Sequence, residues 1–257
     1  MRIPLPRKAL AAVTAATAML GFVAAITTAT PQAAAGATAT YKFTYITLPN
    51  GSKVALRWNG CQTAVTWKVN LAAVPTDQRS TVLSETKTAV GRIATHTGMT
   101  FSYKGSTTEV PQVGSMPSQT AELVIAYTSP TKTNYNLAGS VLGQGGLYAA
   151  WVSRTSNGTT TYTTAALRGF VVLDTPQMLS QTKPGFGTGL RRTNVVLHEL
   201  GHAFGLAHVD TNTQQMYPVI SSISPSGMAT GDRGGLYRLG KAAGCINTAS
   251  MPLKDLS

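Results

Sequence analysis

"VVLHELGHAFGLAH", residues 195–208, sets His198, Glu199, His202 and His208 inside a run otherwise as apolar as a helix core. Burying such groups without partners costs about 2–7 kcal/mol each, so the fold has to supply a partner. An α-helix turns once in 3.6 residues, which puts His198 and His202 on one face about 6 Å apart. Two imidazoles so placed can grip one metal ion. Glu199 lies one position around the helix, too far to ligate comfortably but close enough to reach a metal-bound water, where a general base belongs. Gly205 can take the positive φ that ends a helix and turns the chain back, bringing His208 in as a third ligand. Three nitrogen ligands leave one position of a tetrahedral zinc open to water, the arrangement of a catalytic site. The bland alternative is a set of ordinary histidines with local hydrogen bonds. Five specified residues, "HE..H..G..H", coincide by accident in on the order of one in a hundred thousand chains of this length.

Outward from this helix, apolar periodicity sets the other elements. "TYKFTYITLPNGSKVALRW", residues 40–58, alternates on both sides of Asn50 and Gly51 and predicts a hairpin. "AVTWKVN", residues 64–70, reads as a strand leading through Pro75 into a helix over about 76–97, where Val82, Leu83, Thr86, Ala89, Val90 and Ile93 recur at helical spacing. Strands follow at "MTFSYK", "AELVIAY" and "RGFVVLD". In "GSVLGQGGLYAAWV" the glycines signal either close approach of another chain or a mobile loop, and "SNGT" marks a hairpin turn. After a Gly- and Pro-rich connector, Thr193 or Asn194 is placed to cap the histidine helix, and Asp232 to cap a last helix in "DRGGLYRLGKAAG".

"HELGHAFGLAH" resembles the metzincin metallopeptidases, whose signature is HExxHxxGxxH followed by a methionine turn. "QMYP" places Met216 eight residues beyond His208, which is similar to the matrixin branch and its bacterial secreted relatives. The resemblance implies an α+β metzincin-like catalytic domain, a twisted mixed sheet with a long helix, an active-site helix and a C-terminal helix. It implies one catalytic Zn2+ held by His198, His202 and His208, with Glu199 activating a zinc-bound water. Met216 is then an apolar floor, and Asn194, Pro218 and Val219 line the pocket for the residue after the cut bond. The edge strand near residues 147–152 is the stretch expected to pair with substrate backbone. The chain also departs from the family. Val209 stands where matrixins usually carry Ser or Thr, and no calcium site is recognisable. His96 is the only histidine outside the motif and reads as a surface residue, and Cys61 in "WNGCQTA" lacks the latency pattern.

Composition sets the rest. Charged residues are 12% of the 257 and apolar ones 43%, enough for a real core under a mostly uncharged polar surface. "MRIPLPRK" followed by the apolar "ALAAVTAATAMLGFVAAI" and the small-residue "AAAGATA" reads as a secretory leader over residues 1–39, with an uncleaved anchor as the alternative. Residues 40–60 form an N-terminal hairpin or short pro-segment, and 61–257 the peptidase domain. A net charge of +12 with scattered Lys and Arg excludes a nucleic-acid stripe and allows loose association with anionic cell wall. Cys61 and Cys245, the only two cysteines, predict a disulfide in an exported chain. The alternative makes Cys61 a latency ligand. The expected function is a secreted, extracellular zinc endopeptidase acting on protein or peptide, with no stable membrane association once the leader is removed. Its rivals are a zinc hydrolase of cell-wall peptide cross-links and a secreted zinc-containing binding module with little turnover.

Overall fold

The computed structural model describes residues 40–115 and 118–251, so the leader expected over residues 1–39 lies outside the described residues. Strands β4 (Val65–Asn70), β5 (Phe101–Ser106), β6 (Leu123–Thr128), β7 (Gly143–Ser156) and β8 (Thr159–Asp174) form one sheet in the order β5-β4-β6-β8-β7. The first three and β8 pair in parallel, and β7 runs antiparallel along the edge. A parallel pair needs a long crossover, which α1 (Arg79–Thr97) supplies between β4 and β5. Every residue of β6 is buried, as expected of a central strand covered on both faces. Leu123, Ile125 and Tyr127 face the main core, while Ala126 faces a smaller cluster with Leu137, Val141, Phe170 and Val172. The period of two in a strand divides these side chains between the two layers.

Helix α1 turns Val82, Thr86, Ala89, Val90 and Ile93 inward at helical spacing, and Gly98 stops it at φ 68°, its N–H donating to the Ala94 carbonyl at 2.8 Å. The histidine helix, α3 (Arg192–Ala203), is buried at every position except His202. Its first residue, Arg192, meets Glu85 of α1 in a partly buried ion pair, Nη2 donating to Oε1 at 3.1 Å. The last helix is α4 (Thr230–Leu239). The whole is the α+β arrangement anticipated above, a mixed sheet against a long helix, the histidine helix and a C-terminal helix.

In "GSVLGQGGLYAAWV", Gly139 lies in a turn at φ 69°, whereas Gly143, Gly145 and Gly146 belong to β7, and close approach is what these three provide. A Cβ on Gly145 would fall on the Glu199 carbonyl oxygen, well inside contact, and one on Gly143 would lie 3.0 Å from Glu199 Cγ. The edge strand therefore runs backbone to backbone against α3 at the residue after the first histidine. Gly145→Ala should cost about 3 kcal/mol, because helix or strand has to move to admit a methyl group. A urea unfolding midpoint close to that of the unsubstituted chain would refute this packing.

Three local expectations are corrected. The N-cap of α3 is Arg191, without a side-chain cap, because Thr193 and Asn194 already lie inside the helix and bond to the preceding loop instead. Asp232 is the third residue of α4 rather than its cap, and reaches back to the Ala229 N–H at 2.9 Å. The connector before α3 contains a short helix, α2 (Thr175–Gln181), capped by Asp174 Oδ1 accepting from the Gln177 N–H at 3.3 Å. "DTP" is an N-terminal helix signal, with Asp as cap and Pro in the first turn, and the sequence carried it.

Residues 40–60 contain the anticipated hairpin, β2 (Tyr45–Thr47) against β3 (Lys53–Ala55), with Gly51 at φ 82° in its turn. Ahead of it, β1 (Lys42–Phe43) pairs antiparallel with β9 (Leu206–Ala207), the two residues just before His208. Trp58 is 1% exposed and its indole N–H donates to the Ala203 carbonyl at the end of α3, 2.9 Å away. Cys61, in the turn before β4, is bridged to Cys245 beyond α4. Among the described residues no helix is long and apolar enough to cross a membrane.

Candidate metal centre

His198 and His202 stand one turn apart on α3, and the chain leaves the helix through Gly205, at φ 90°. A side chain there would be strained and would also meet the Leu56 carbonyl oxygen, so the sharp exit requires glycine. The exit returns through β9 and brings His208 opposite the helix. The three Nε2 atoms converge, with separations of 3.2 Å for His198 and His202, 3.1 Å for His198 and His208, and 3.0 Å for His202 and His208.

The other ring nitrogens decide what these contacts are. His198 Nδ1 lies 2.7 Å from the Gln215 carbonyl and His202 Nδ1 lies 2.8 Å from the Leu206 carbonyl. A carbonyl only accepts, so in the neutral rings Nδ1 carries the proton and Nε2 presents a lone pair. Two lone pairs at 3.2 Å repel unless they share a cation. Nitrogen ligands about 2.0–2.1 Å from a tetrahedral zinc are separated by about 3.3–3.4 Å, close to the spacing seen here. The donor set therefore fits zinc in number, type and protonation, and the two carbonyls are the outer partners that usually orient such imidazoles. Burial, with the neighbouring imidazoles, holds His198 well below the usual histidine range. Burial also lowers His202, against the opposing pull of Glu199 and the Leu206 carbonyl. Both shifts favour the neutral ring, the form that ligates.

Exposure is graded across the triad. His198 is buried, His202 half-buried and His208 exposed, so the centre opens to solvent on the His208 side. Glu199 is 1% exposed, with its backbone against Gly145 and its side chain beside Gly143 of β7.

Met216 is buried under α3. A Cβ on Gly201, the residue before His202, would lie inside the Met216 sulfur, so the glycine lets the thioether seat against the helix. The turn that carries Met216 is held from both sides. The Val209 N–H donates to its carbonyl at 3.1 Å, and the Gln215 and Met216 N–H groups donate to the two Asp232 carboxylate oxygens at 2.7 and 3.3 Å. Burial pushes the Asp232 carboxyl up to about 6 against the pull of these donors. Gln214 Oε1 accepts from the Gly231 N–H at 2.9 Å, so the turn and the start of α4 form one unit.

The pocket residues fall differently. Asn194 is fully buried, one turn before His198, and its Nδ2 donates to the Gly187 and Gly189 carbonyls at 3.0 and 2.9 Å. Its amide thus holds the loop before α3 in place. Pro218 and Val219 follow Met216 and are half-buried. Val209, where the family usually has a hydroxyl residue, is buried in the main core, and Asp210 pairs with Lys42 at 2.7 Å on the surface. Sequence reasoning missed the supporting parts, Trp58, Gln214 and the Gln215 carbonyl. The carbonyl, being backbone, leaves no sequence signal, whereas a lone tryptophan beside the hairpin was a readable core residue.

Two imidazoles on a helix that packs along the edge of a mixed sheet, and a third just beyond that helix, converge into a centre able to hold a metal ion. The matrixin family model matches residues 57–239, which include every residue of the centre and the whole sheet, and the chain belongs to the matrixin family. Matrixins are zinc-dependent endopeptidases. No match was found among curated proteins.

Proposed function

We propose that the chain is an exported zinc endopeptidase in which His198, His202 and His208 hold the metal and Glu199 moves the proton. The observation that carries this reading is the convergence of three Nε2 atoms within 3.2 Å beside an open sheet edge. Zinc bound there supplies Lewis acidity, bringing the pKa of coordinated water to about 7 and polarising the peptide carbonyl. Glu199 takes up the proton of the attacking water as its oxygen bonds to the carbonyl carbon. It returns that proton to the departing amine as the carbon–nitrogen bond breaks.

Among the described residues the outer edge of β7 has no partner strand, so it can accept an extended peptide as a further strand. Gly143 and Gly145 lie against Glu199, so the part of the strand nearest the chemistry begins before residues 147–152, the stretch read from sequence. Pro218 and Val219, half-buried in the chain just after Met216, stay assigned to the pocket after the cut bond, with an apolar preference. Export is supported by the disulfide, which persists in oxidising compartments. Residues 40–60 belong to the mature domain rather than to a removable pro-segment, a reading supported by the β1–β9 pairing and by Trp58 in the core.

The test is digestion of a diverse peptide mixture before and after chelation. Internal bonds should be cut with apolar residues enriched just after the cut, and activity should vanish on zinc removal and return on its addition. Undiminished hydrolysis by protein with no measurable zinc would overturn the assignment.

A further inference from the structure

A second cluster of titratable groups lies outside the metal centre. Arg92 and His96 stand one turn apart on α1, and Arg233 lies in the first turn of α4. With the loop from Pro225 to Thr230 they line an open cavity of about 460 Å³. No carboxylate lines it. Among the described residues neither arginine forms an ion pair, and the neighbouring Asp232 spends both oxygens on the N–H groups of Gln215, Met216 and Ala229.

Each guanidinium has an anchor, firmer for the half-buried Arg92 than for the exposed Arg233. Arg92 stacks 3.8 Å over the Phe186 ring and donates from Nη1 to the Ser226 carbonyl at 2.9 Å. Arg233 donates from Nη2 to Thr230 Oγ1 at 3.2 Å. Each guanidinium has five N–H donors, so both keep donors to offer. Burial, and then the fields of Arg233 and Arg92, press the His96 imidazole below its ordinary range. The cluster repels additional positive charge, and an anion between its members relieves that repulsion.

We propose that this cavity is an oxyanion site for a phosphate or sulfate group carried on a small molecule. Two guanidiniums lining one cavity suit a tetrahedral oxyanion, which accepts paired N–H donors better than a spherical halide does. The cavity falls in the range of about 300–1,000 Å³ that suits a small organic ligand, leaving room beyond the oxyanion for its carrier. The lining loop also carries Met228, whose methyl group approaches Gly201 of α3, so the loop that meets the ligand also packs against the histidine helix.

The test uses the zinc-loaded chain, titrated with inorganic phosphate and separately with glucose 6-phosphate at constant ionic strength. Calorimetry and backbone amide NMR read the binding. Saturable binding should move the amides of Ser226 to Thr230, and Arg233→Gln should weaken it about tenfold, the loss expected for one charge-assisted contact. Arg154→Gln, an equal charge change on the β7 hairpin, should leave it unaltered. Circular dichroism confirms that both variants are folded. Tighter binding of the ester than of phosphate supports the carrier, and binding of phosphate alone overturns the carrier in favour of the free ion. Non-saturable shifts, or equal affinity in the Arg233 variant, overturn the site itself. So do shifts confined to the amides around His202 to His208, which place the anion at the metal.

Discussion

Glu199→Gln is expected to lower kcat by about 10²–10⁴-fold, the usual worth of general acid–base catalysis, while zinc stays at one per chain. The expectation separates two roles that a single substitution usually confuses. Glutamine keeps the volume of a side chain that is 1% exposed and lies beside Gly143, so the fold has no cavity to close. It cannot take a proton from attacking water. The three Nε2 atoms come from other residues, so metal affinity should hardly change. His202→Ala provides the contrast. It removes one of the three nitrogens and should lose zinc and activity together. Metal content by atomic absorption, read beside single-turnover hydrolysis, gives both quantities. Substantial turnover by a zinc-replete Glu199→Gln protein would take Glu199 out of the mechanism.

Replacing both cysteines by serine should remove about 5 kcal/mol of stability, the chain-entropy value for a closed loop of this length. The bridge spans a sequence separation of 184 residues, nearly the whole described chain. Its surroundings are already fitted to it. Asn59 Oδ1 accepts the N–H groups of both Cys61 and Ile246, at 3.1 and 2.9 Å, and Arg57 donates to the Gly244 carbonyl at 2.9 Å. Beyond the bridge, Ile246 and Met251 pack with Ala150, Ala165 and Leu167, covering one face where the β7–β8 ribbon leaves the sheet. For a domain of this size about 5 kcal/mol corresponds to a fall of about 10–20 °C in Tm. Thermal unfolding of the zinc-loaded double variant measures it, and a loss below about 1 kcal/mol would show that these backbone contacts suffice without the bridge.

Elements defined by their own periodicity were legible in the sequence, and relations between elements were not. The runs at 64–70, 76–97 and 168–174 became β4, α1 and the inner half of β8, because their apolar spacing states which face is covered. His198, His202 and His208 were legible for the same reason, since one turn of helix and one glycine fix their approach. Gly143 and Gly145 were ambiguous. A glycine reports that something needs room, but here that something is Glu199, more than 50 residues away, its carbonyl against Gly145 and its side chain against Gly143. Asn194 was assigned to the pocket through the resemblance alone, and its bonds to two loop carbonyls, being to backbone, leave no sequence signal. Asp232 was recognised as a helix-start residue, but its second task, holding the turn of Met216, depends on a contact no local pattern encodes.

The same disulfide sets an order of assembly. Cys61 reaches any oxidising environment long before Cys245, and pairing of β1 with β9 likewise waits for a segment more than 160 residues downstream. Contacts of such long range are slow to form, because loop closure must precede their reward. Until the last helix has been made, Cys61 stays a thiol and β1 has no strand to pair with, so a nascent chain remains extensible through almost its whole length. With only two cysteines, no wrong pairing exists within one molecule. The one error open to the thiol is capture by another chain, so covalent dimers should mark assembly at high concentration and vanish on dilution before oxidation.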